Sequence, residues 1–277
     1  MKISEASEMA SIIEASTFKP GNVYVGKKGF LDFLVSAVIL GGTLEKIRGR
    51  DIRLGQFIRE AVVDRKKYVS ENTNLGIILL HVPIAVAAAQ HTGTLRSNLD
   101  RIVNATTKED AEECGEALKI SGAFLGKPEK GPDLRFDTGL KEIEKDGVTL
   151  LDLFSISSAW DMIASEWVHG FEITFSGAEW LLSGGSILDL YMEILSTYPD
   201  SLVLRRFEEK KALEVMQKAK KLKGASLDDL REWDNDLYGE GVNPGTTADL
   251  VASSLFAALL KRDDILTEFL NEIHKYY

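Results

Sequence analysis

The sequence predicts an all-α protein folded as a single multi-helix domain over residues 1–277, and three observations carry that prediction. Apolar residues recur at three-to-four spacing through most of the chain, as amphipathic helices require. Alternating strand patterns are nearly absent, and the short run "SLVLRRF" (Ser201–Phe207) is the best strand candidate. No internal repeat and no Pro- or Ser-rich linker divides the chain. A length of 277 residues is ample for a large core, and 44% hydrophobic with 27% charged residues is an ordinary globular balance.

In chain order, "SEASEMASIIEAST" (Ser4–Thr17) sets Ala6, Met9, Ile12 and Ile13 on one apolar helical face. "FLDFLVSAVILGG" continues as helix from Phe30 and stops at Gly41-Gly42, a C-terminal signal. Ile52–Tyr68 and Lys108–Leu125 are amphipathic and charged outside; the stretch from Thr92 to Gly147 is more polar without being low-complexity. "LGIILLHVPIAVAAA" (Leu75–Ala89) is apolar all round and reads as a buried central helix. Leu150–Phe171 reads as one long helix ending at Gly170, and Gly184–Pro199 as a helix capped by Ser186. Lys210–Leu222 is a basic surface helix, Thr246–Leu260 a central one, and Ile265–Tyr277 closes the chain.

Composition excludes several classes of function. The 43 acidic residues outweigh the 33 Lys and Arg, giving a net charge of −10, which argues against a duplex nucleic-acid surface. A small phosphorylated ligand held by a few local cations remains compatible. The apolar run Leu75–Ala89 is fifteen residues long and contains His81 and Pro83, short of the roughly 20 residues that cross a bilayer, so no membrane role is expected. Met1–Ala10 has no apolar run and does not resemble a signal peptide. The one cysteine, Cys114, cannot form an internal disulfide, which fits a cytoplasmic protein, and it reads as a structural or surface thiol.

Function is expected at three polar, glycine-containing corners: "TFKPGNVYVG" (Thr17–Gly26), "ENTNLG" (Glu71–Gly76) and "NPGTTADL" (Asn243–Leu250). The last two open helices that look buried. A helix start offers unpaired N–H groups and the positive dipole end, both suited to phosphate. Glycine lets a ligand approach the backbone, and asparagine can read a ribose hydroxyl or a base edge. The competing reading is capping, with Thr246 or Thr247 as the cap and Asp249 in the first turn. The candidate binding residues at these corners are Lys19, Gly21, Asn22, Asn72, Asn74, Asn243, Gly245, Thr246 and Thr247, with Arg205 and Arg206 as further phosphate cations. Candidate ligands for Mg²⁺ are Glu14, Asp161, Glu166 and Asp249, because that ion typically takes one or two carboxylates beside phosphate oxygens. Asp161, in an apolar helical stretch, needs a partner most. "EWVH" (Glu166–His169) has di-iron spacing but occurs once, where such a site needs it twice. His81 and His91 read as hydrogen-bonded helix residues, and Trp160 and Trp167 as core or pocket wall.

With those corners assembled, the sequence resembles the triphosphoribosyl-dephospho-CoA synthase family. "TFKPGNV", "NTNLGI", "AWDMIASEWVHGF", "PDSLVLRR" and "NPGTTADLVAS" occur in the family's order, from about Ser4 to Leu260. The resemblance implies an all-α, cytoplasmic enzyme that joins the triphosphoribosyl group of ATP to 3′-dephospho-CoA and releases adenine, making a prosthetic-group precursor. It implies phosphate contacts from Lys19, Arg205 and Arg206, and nucleotide contacts from Asn72, Asn74, Asn243 and the Thr246-Thr247 helix start. Asp161 or Asp249 would then hold Mg²⁺ or act as the base. Lyase-associated bacterial members carry "NTHKG" where this chain has "NTNLG", and many relatives have His or Asp where it has Tyr24. The pattern is closer to an archaeal-type branch, so the acceptor is expected to be CoA-like or another cofactor-like molecule. Two alternatives stand beside the transferase: a nucleotide-binding protein of the same fold with a regulatory or scaffold role, and a metal-dependent nucleotide hydrolase. A homo-oligomer is left open.

Overall fold

The computed structural model describes residues 1–47, 52–126 and 130–277. Among them the regular structure is helical, with no strand: α1 (Ile3–Ser16), α2 (Phe30–Leu44), α3 (Leu54–Lys66), α4 (Leu75–Ala88), α5 (Leu95–Asn104), α6 (Lys108–Ser121), α7 (Asp137–Asp146) and α8 (Leu150–Ser157) are followed by α9 (Met162–Val168), α10 (Glu172–Leu182), α11 (Ile187–Thr197), α12 (Ser201–Leu222), α13 (Leu227–Glu240), α14 (Gly245–Lys261) and α15 (Leu266–His274). The fold class is all-α, as the apolar periodicity predicts. The chain divides into two units: Met1–Glu8 with Val35–Glu172, and Met9–Leu34 with Ile173–Tyr277. No helix among the described residues is long and apolar enough to cross a membrane.

The first unit is built around α4. Its side chains from Ile77 to Ala87 are buried on every face, so the apolar run is a core helix as expected. Trp167 covers it from α9, donating its indole N–H to the Leu79 carbonyl at 3.1 Å. His81, fully buried on α4, meets the Ser7 hydroxyl through Nδ1 at 2.8 Å. Helices α3 and α6 pack backbone to backbone at Gly55, whose N–H donates to Asp110 Oδ1 at 2.8 Å. Cys114 is buried on α6, where loss of solvent and the nearby Asp110 push its thiol up to about 12, so it is a structural residue.

Three sequence expectations give way here. Gly41 and Gly42 do not end α2, which runs on to Leu44. A Cβ at Gly41 would lie 2.8 Å from Glu8 Oε2 and 3.1 Å from Glu8 Cβ, so this glycine permits close helix packing rather than termination. The expected long helix over Leu150–Phe171 is two helices, because Asp161 adopts extended backbone and its Oδ1 accepts from the Ile163 and Ala164 N–H groups at 2.9 and 3.1 Å. The strand candidate "SLVLRRF" is the start of α12, since Asp200 caps it, and the helix kinks at Glu208 (φ 67°) before the expected basic segment. Helices α5, α7 and α13 lie outside the expected elements. On α1 the apolar pattern is only partly the buried one: Met9 and Ile12 are half-buried, while Ser7, Ser11 and Glu14 are buried.

The second unit centres on α14, buried on nearly all sides as expected, with α11 and α12 against it. Ser186 caps α11 through the Asp189 N–H, again as expected, and Glu272 of α15 accepts from the Ile187 N–H at 2.8 Å at the same helix start.

Gly55→Ala tests the tightest of these packings. The added methyl would meet the Asp110 carbonyl oxygen at 2.1 Å and Asp110 Cα at 2.4 Å, both backbone atoms that cannot rotate away. A loss of about 3 kcal/mol, read from the urea midpoint, is expected. An unchanged midpoint would mean that α3 and α6 separate easily.

Candidate functional site

Two of the three polar corners come together in the second unit. Asn22 Nδ2 donates to Asn243 Oδ1 at 2.8 Å, linking residues 221 positions apart, while Asn22 Oδ1 accepts from the Val23 N–H at 2.7 Å. Pro20 is fixed through its carbonyl, which accepts from the buried Tyr191 hydroxyl at 2.8 Å. Gly21 has a φ of 77°, and its N–H donates to Asp234 Oδ1 at 2.9 Å. A Cβ there would stand 2.8 Å from Leu237 Cδ1 and 2.9 Å from Pro244 Cδ. Gly21 therefore lets the loop close against α13 and Pro244, and this inner face is filled by protein. Gly245 is similar, for its Cβ would meet Leu202 Cδ2 at 2.8 Å.

The start of α14 is capped, but not by the threonines of its own first turn. Pro244 occupies the cap position and offers no side-chain bond. The carboxylate comes from Asp200: Oδ2 accepts from the Thr247 N–H at 2.7 Å and from Thr247 Oγ1 at 2.8 Å. Its Oδ1 accepts from the Leu202 and Val203 N–H groups at 2.9 and 3.1 Å. One buried side chain thus serves the starts of two helices. Burial pushes the Asp200 carboxyl up from its ordinary value, opposed by the Thr247 and Val203 donors and by the charge of Arg205. Arg205 is half-buried and Arg206 exposed. Thr246 and Thr247 are buried, and Asp249 lies half-buried in the second turn of α14 rather than the first.

The loop between α1 and α2 carries three lysines: Lys28 is exposed, and Lys19 and Lys27 are held in contrasting settings. Lys19 is fully buried, and its ammonium donates to the carbonyls of Glu14, Thr17 (2.8 Å) and Val23 (3.1 Å) while standing 3.1 Å from Glu14 Oε1. Burial pushes Glu14 up and Lys19 down, and their mutual attraction works against both shifts. Lys27 lies 2.8 Å from Asp234 Oδ2, with its side chain 19% exposed. Its ammonium stands over the rings of Tyr24 (5.0 Å) and Tyr238 (4.5 Å). The Tyr24 hydroxyl donates to the same Asp234 oxygen at 2.6 Å.

The third corner belongs to the first unit. Asn72 is exposed and accepts from the Leu75 N–H at 3.2 Å. Asn74 occupies the cap position of α4 without capping it; its Nδ2 reaches the Ser36 carbonyl at 3.4 Å, and its buried Oδ1 has no hydrogen-bond partner among the described residues. Asp161 and Glu166 are also in this unit, Asp161 as the cap of α9 and Glu166 buried on it. Among the described residues no three His, Cys, Asp or Glu side chains are disposed to hold a metal ion.

Asp200, Asp234 and Lys27 were missing from the expected site residues. Asp234 left a readable trace, an acid among Leu230, Trp233 and Leu237 on the apolar face of α13. Asp200 precedes a run that resembles a strand, which hid its capping role. Asp200→Ala is expected to cost about 3 kcal/mol by leaving buried N–H groups of two helices unpaired. Urea denaturation reads the loss, and less than about 1 kcal/mol would show that Thr247 finds another acceptor.

The family model described as ATP:dephospho-CoA triphosphoribosyl transferase (CitG) matches residues 1–267. Among solved structures, the chain is similar to an inferred triphosphoribosyl-dephospho-CoA synthase from Archaeoglobus fulgidus. The two share 28% sequence identity with a TM-score of 0.73, over 84% of this chain and 99% of that one. No protein of curated function matches the sequence. The resemblance read from the polar corners is thus met by a match along nearly the whole chain, which belongs to the ATP:dephospho-CoA triphosphoribosyl transferase family of transferases.

Proposed function

We propose that the protein transfers the triphosphoribosyl group of ATP to a hydroxyl of a dephospho-CoA-like acceptor and releases adenine. The observation that carries this reading within the molecule is the joining of Asn22 to Asn243, which brings the KPGN and NPGTT corners to one place in the second unit. In the reaction an acceptor oxygen attacks C1′ of ATP, the bond from C1′ to the adenine nitrogen breaks, and the hydroxyl proton passes by way of a base to the departing adenine. Such transfers develop positive charge on the sugar, so the protein's task is to orient two substrates, hold the triphosphate and assist the leaving base.

Asparagine side chains, Gly245 and Thr246 at the start of α14, and Arg205 and Arg206 on α12 are the groups we assign to the nucleotide in this unit. Asp249, half-buried in the second turn of α14, and Asp161, whose Oδ1 accepts from the N–H groups of α9, are the two candidate bases. Magnesium enters as the ATP complex, with phosphate oxygens supplying most of its ligands. Asn72 and Asn74 remain nucleotide candidates in the first unit, where the unpartnered Asn74 Oδ1 would accept a hydrogen bond from a ligand after a small local shift. The acceptor is the less determined substrate, since Tyr24 is tied to Asp234 through its hydroxyl rather than presenting an acid or imidazole.

Incubation with Mg-ATP and dephospho-CoA, followed by chromatography of free adenine, tests the proposal. Adenine formed in step with loss of dephospho-CoA is the expected result. Tight ATP binding with no adenine from any acceptor offered would favour a binding protein that keeps the fold without the chemistry. Nucleotide breakdown yielding phosphate rather than adenine would favour a hydrolase.

A further inference from the structure

We infer that Lys27, seated by Asp234 between two tyrosine rings, is the cation with which the loop between α1 and α2 meets the phosphates of a nucleotide, and that Lys19 is an internal staple of the same loop. The inference rests on the nucleotide reading above and deepens it.

The contrast lies in how the two ammonium groups spend their N–H donors. An ammonium has three. Lys19 meets three main-chain carbonyls and the Glu14 carboxylate, with no exposed surface. Turning it towards a ligand would release the carbonyls that shape the loop and leave Glu14 buried beside no cation, which is strongly unfavourable. Lys27 has one carboxylate contact, to Asp234 Oδ2, and keeps part of its side chain in solvent. The faces of Tyr24 and Tyr238 attract its charge without consuming directed N–H bonds, and Tyr238 is itself 62% exposed. A phosphate oxygen can therefore replace water on Lys27 while the lysine stays in place.

Asp234 makes this arrangement rigid. Its carboxylate is buried and takes the Gly21 N–H with one oxygen and both the Tyr24 hydroxyl and Lys27 with the other. It ties the turn at Gly21 and the cation at Lys27 to α13, so the charge is held in fixed relation to the Asn22–Asn243 junction. Leu237 and Pro244 fill the inner side of the loop at Gly21, which leaves a ligand the solvent side, where Lys27 emerges. Asp234 is thus a positioning residue acting through Lys27.

Calorimetric titration with adenosine, AMP, ADP and ATP in the presence of Mg²⁺ tests the assignment on the full chain. Lys27→Met should lower the melting temperature only modestly, because Asp234 keeps the Gly21 N–H and the Tyr24 hydroxyl, and should weaken ATP about 10- to 100-fold relative to adenosine in the folded protein, with the loss growing with the number of phosphates. Lys27→Arg should restore most of it. Lys19→Met should lower the melting temperature while the folded fraction keeps the wild-type ratio of ATP to adenosine affinity. In an Asp234→Asn background, Lys27→Met should cost much less, since the lysine is no longer held. Equal losses for adenosine and ATP in Lys27→Met, or no loss at all, would overturn the assignment while leaving the nucleotide reading intact. Failure of the wild-type protein to bind ATP would overturn both.

Discussion

The carboxylate of Asp200 is the interaction on which the second unit depends. A protein made of many short helices exposes four unpaired N–H groups at each helix start, and water can serve them only where the start is solvated. The starts of α12 and α14 are buried, so an acceptor must come from the protein, and Asp200 provides one oxygen to each. A fully buried carboxylate is itself costly unless surrounded by donors. The cost of desolvating Asp200 and the cost of two uncapped helix starts cancel each other, and neither helix can shift without stranding the other.

The same solution recurs. Glu272 reaches the start of α11 at the Ile187 N–H, Asp110 takes the Gly55 N–H where α3 meets α6, and Asp234 takes the Gly21 N–H in the loop after α1. Each is an acidic side chain brought from a distant element to a buried or part-buried backbone donor.

For a transferase the consequence is preorganisation. The corners expected to meet a nucleotide are not loose loops: Pro20, Gly21, Asn22 and Tyr24 each have a hydrogen-bonded partner on another element of their unit. Fixed donors and acceptors lower the barrier for transfer because little has to be reorganised when charge develops. It also means that the positive end of α14 already faces an anion. A ligand phosphate there would share the helix start with Asp200, which raises the weight carried by side-chain cations.

By itself the sequence determined the helical class, the buried character of α4 and α14, the cap at Ser186, the polar corners and the family, because periodicity, composition and short motifs are local properties. It misread "SLVLRRF" as a strand, Gly41-Gly42 as a stop and Leu150–Phe171 as one helix, since each depends on a partner that local pattern does not name: the Asp200 cap, the approach of Glu8, the preference of Asp161 for capping over continuing. Only the tertiary structure decided which polar groups are spent and which remain available. Lys19 and Lys27 are eight residues apart and chemically identical, yet one is consumed by its own loop and the other is held half-open by an acid more than two hundred residues away. Pairing of desolvated charges and donors is set by proximity in space, and proximity over that separation exists only after the chain has folded.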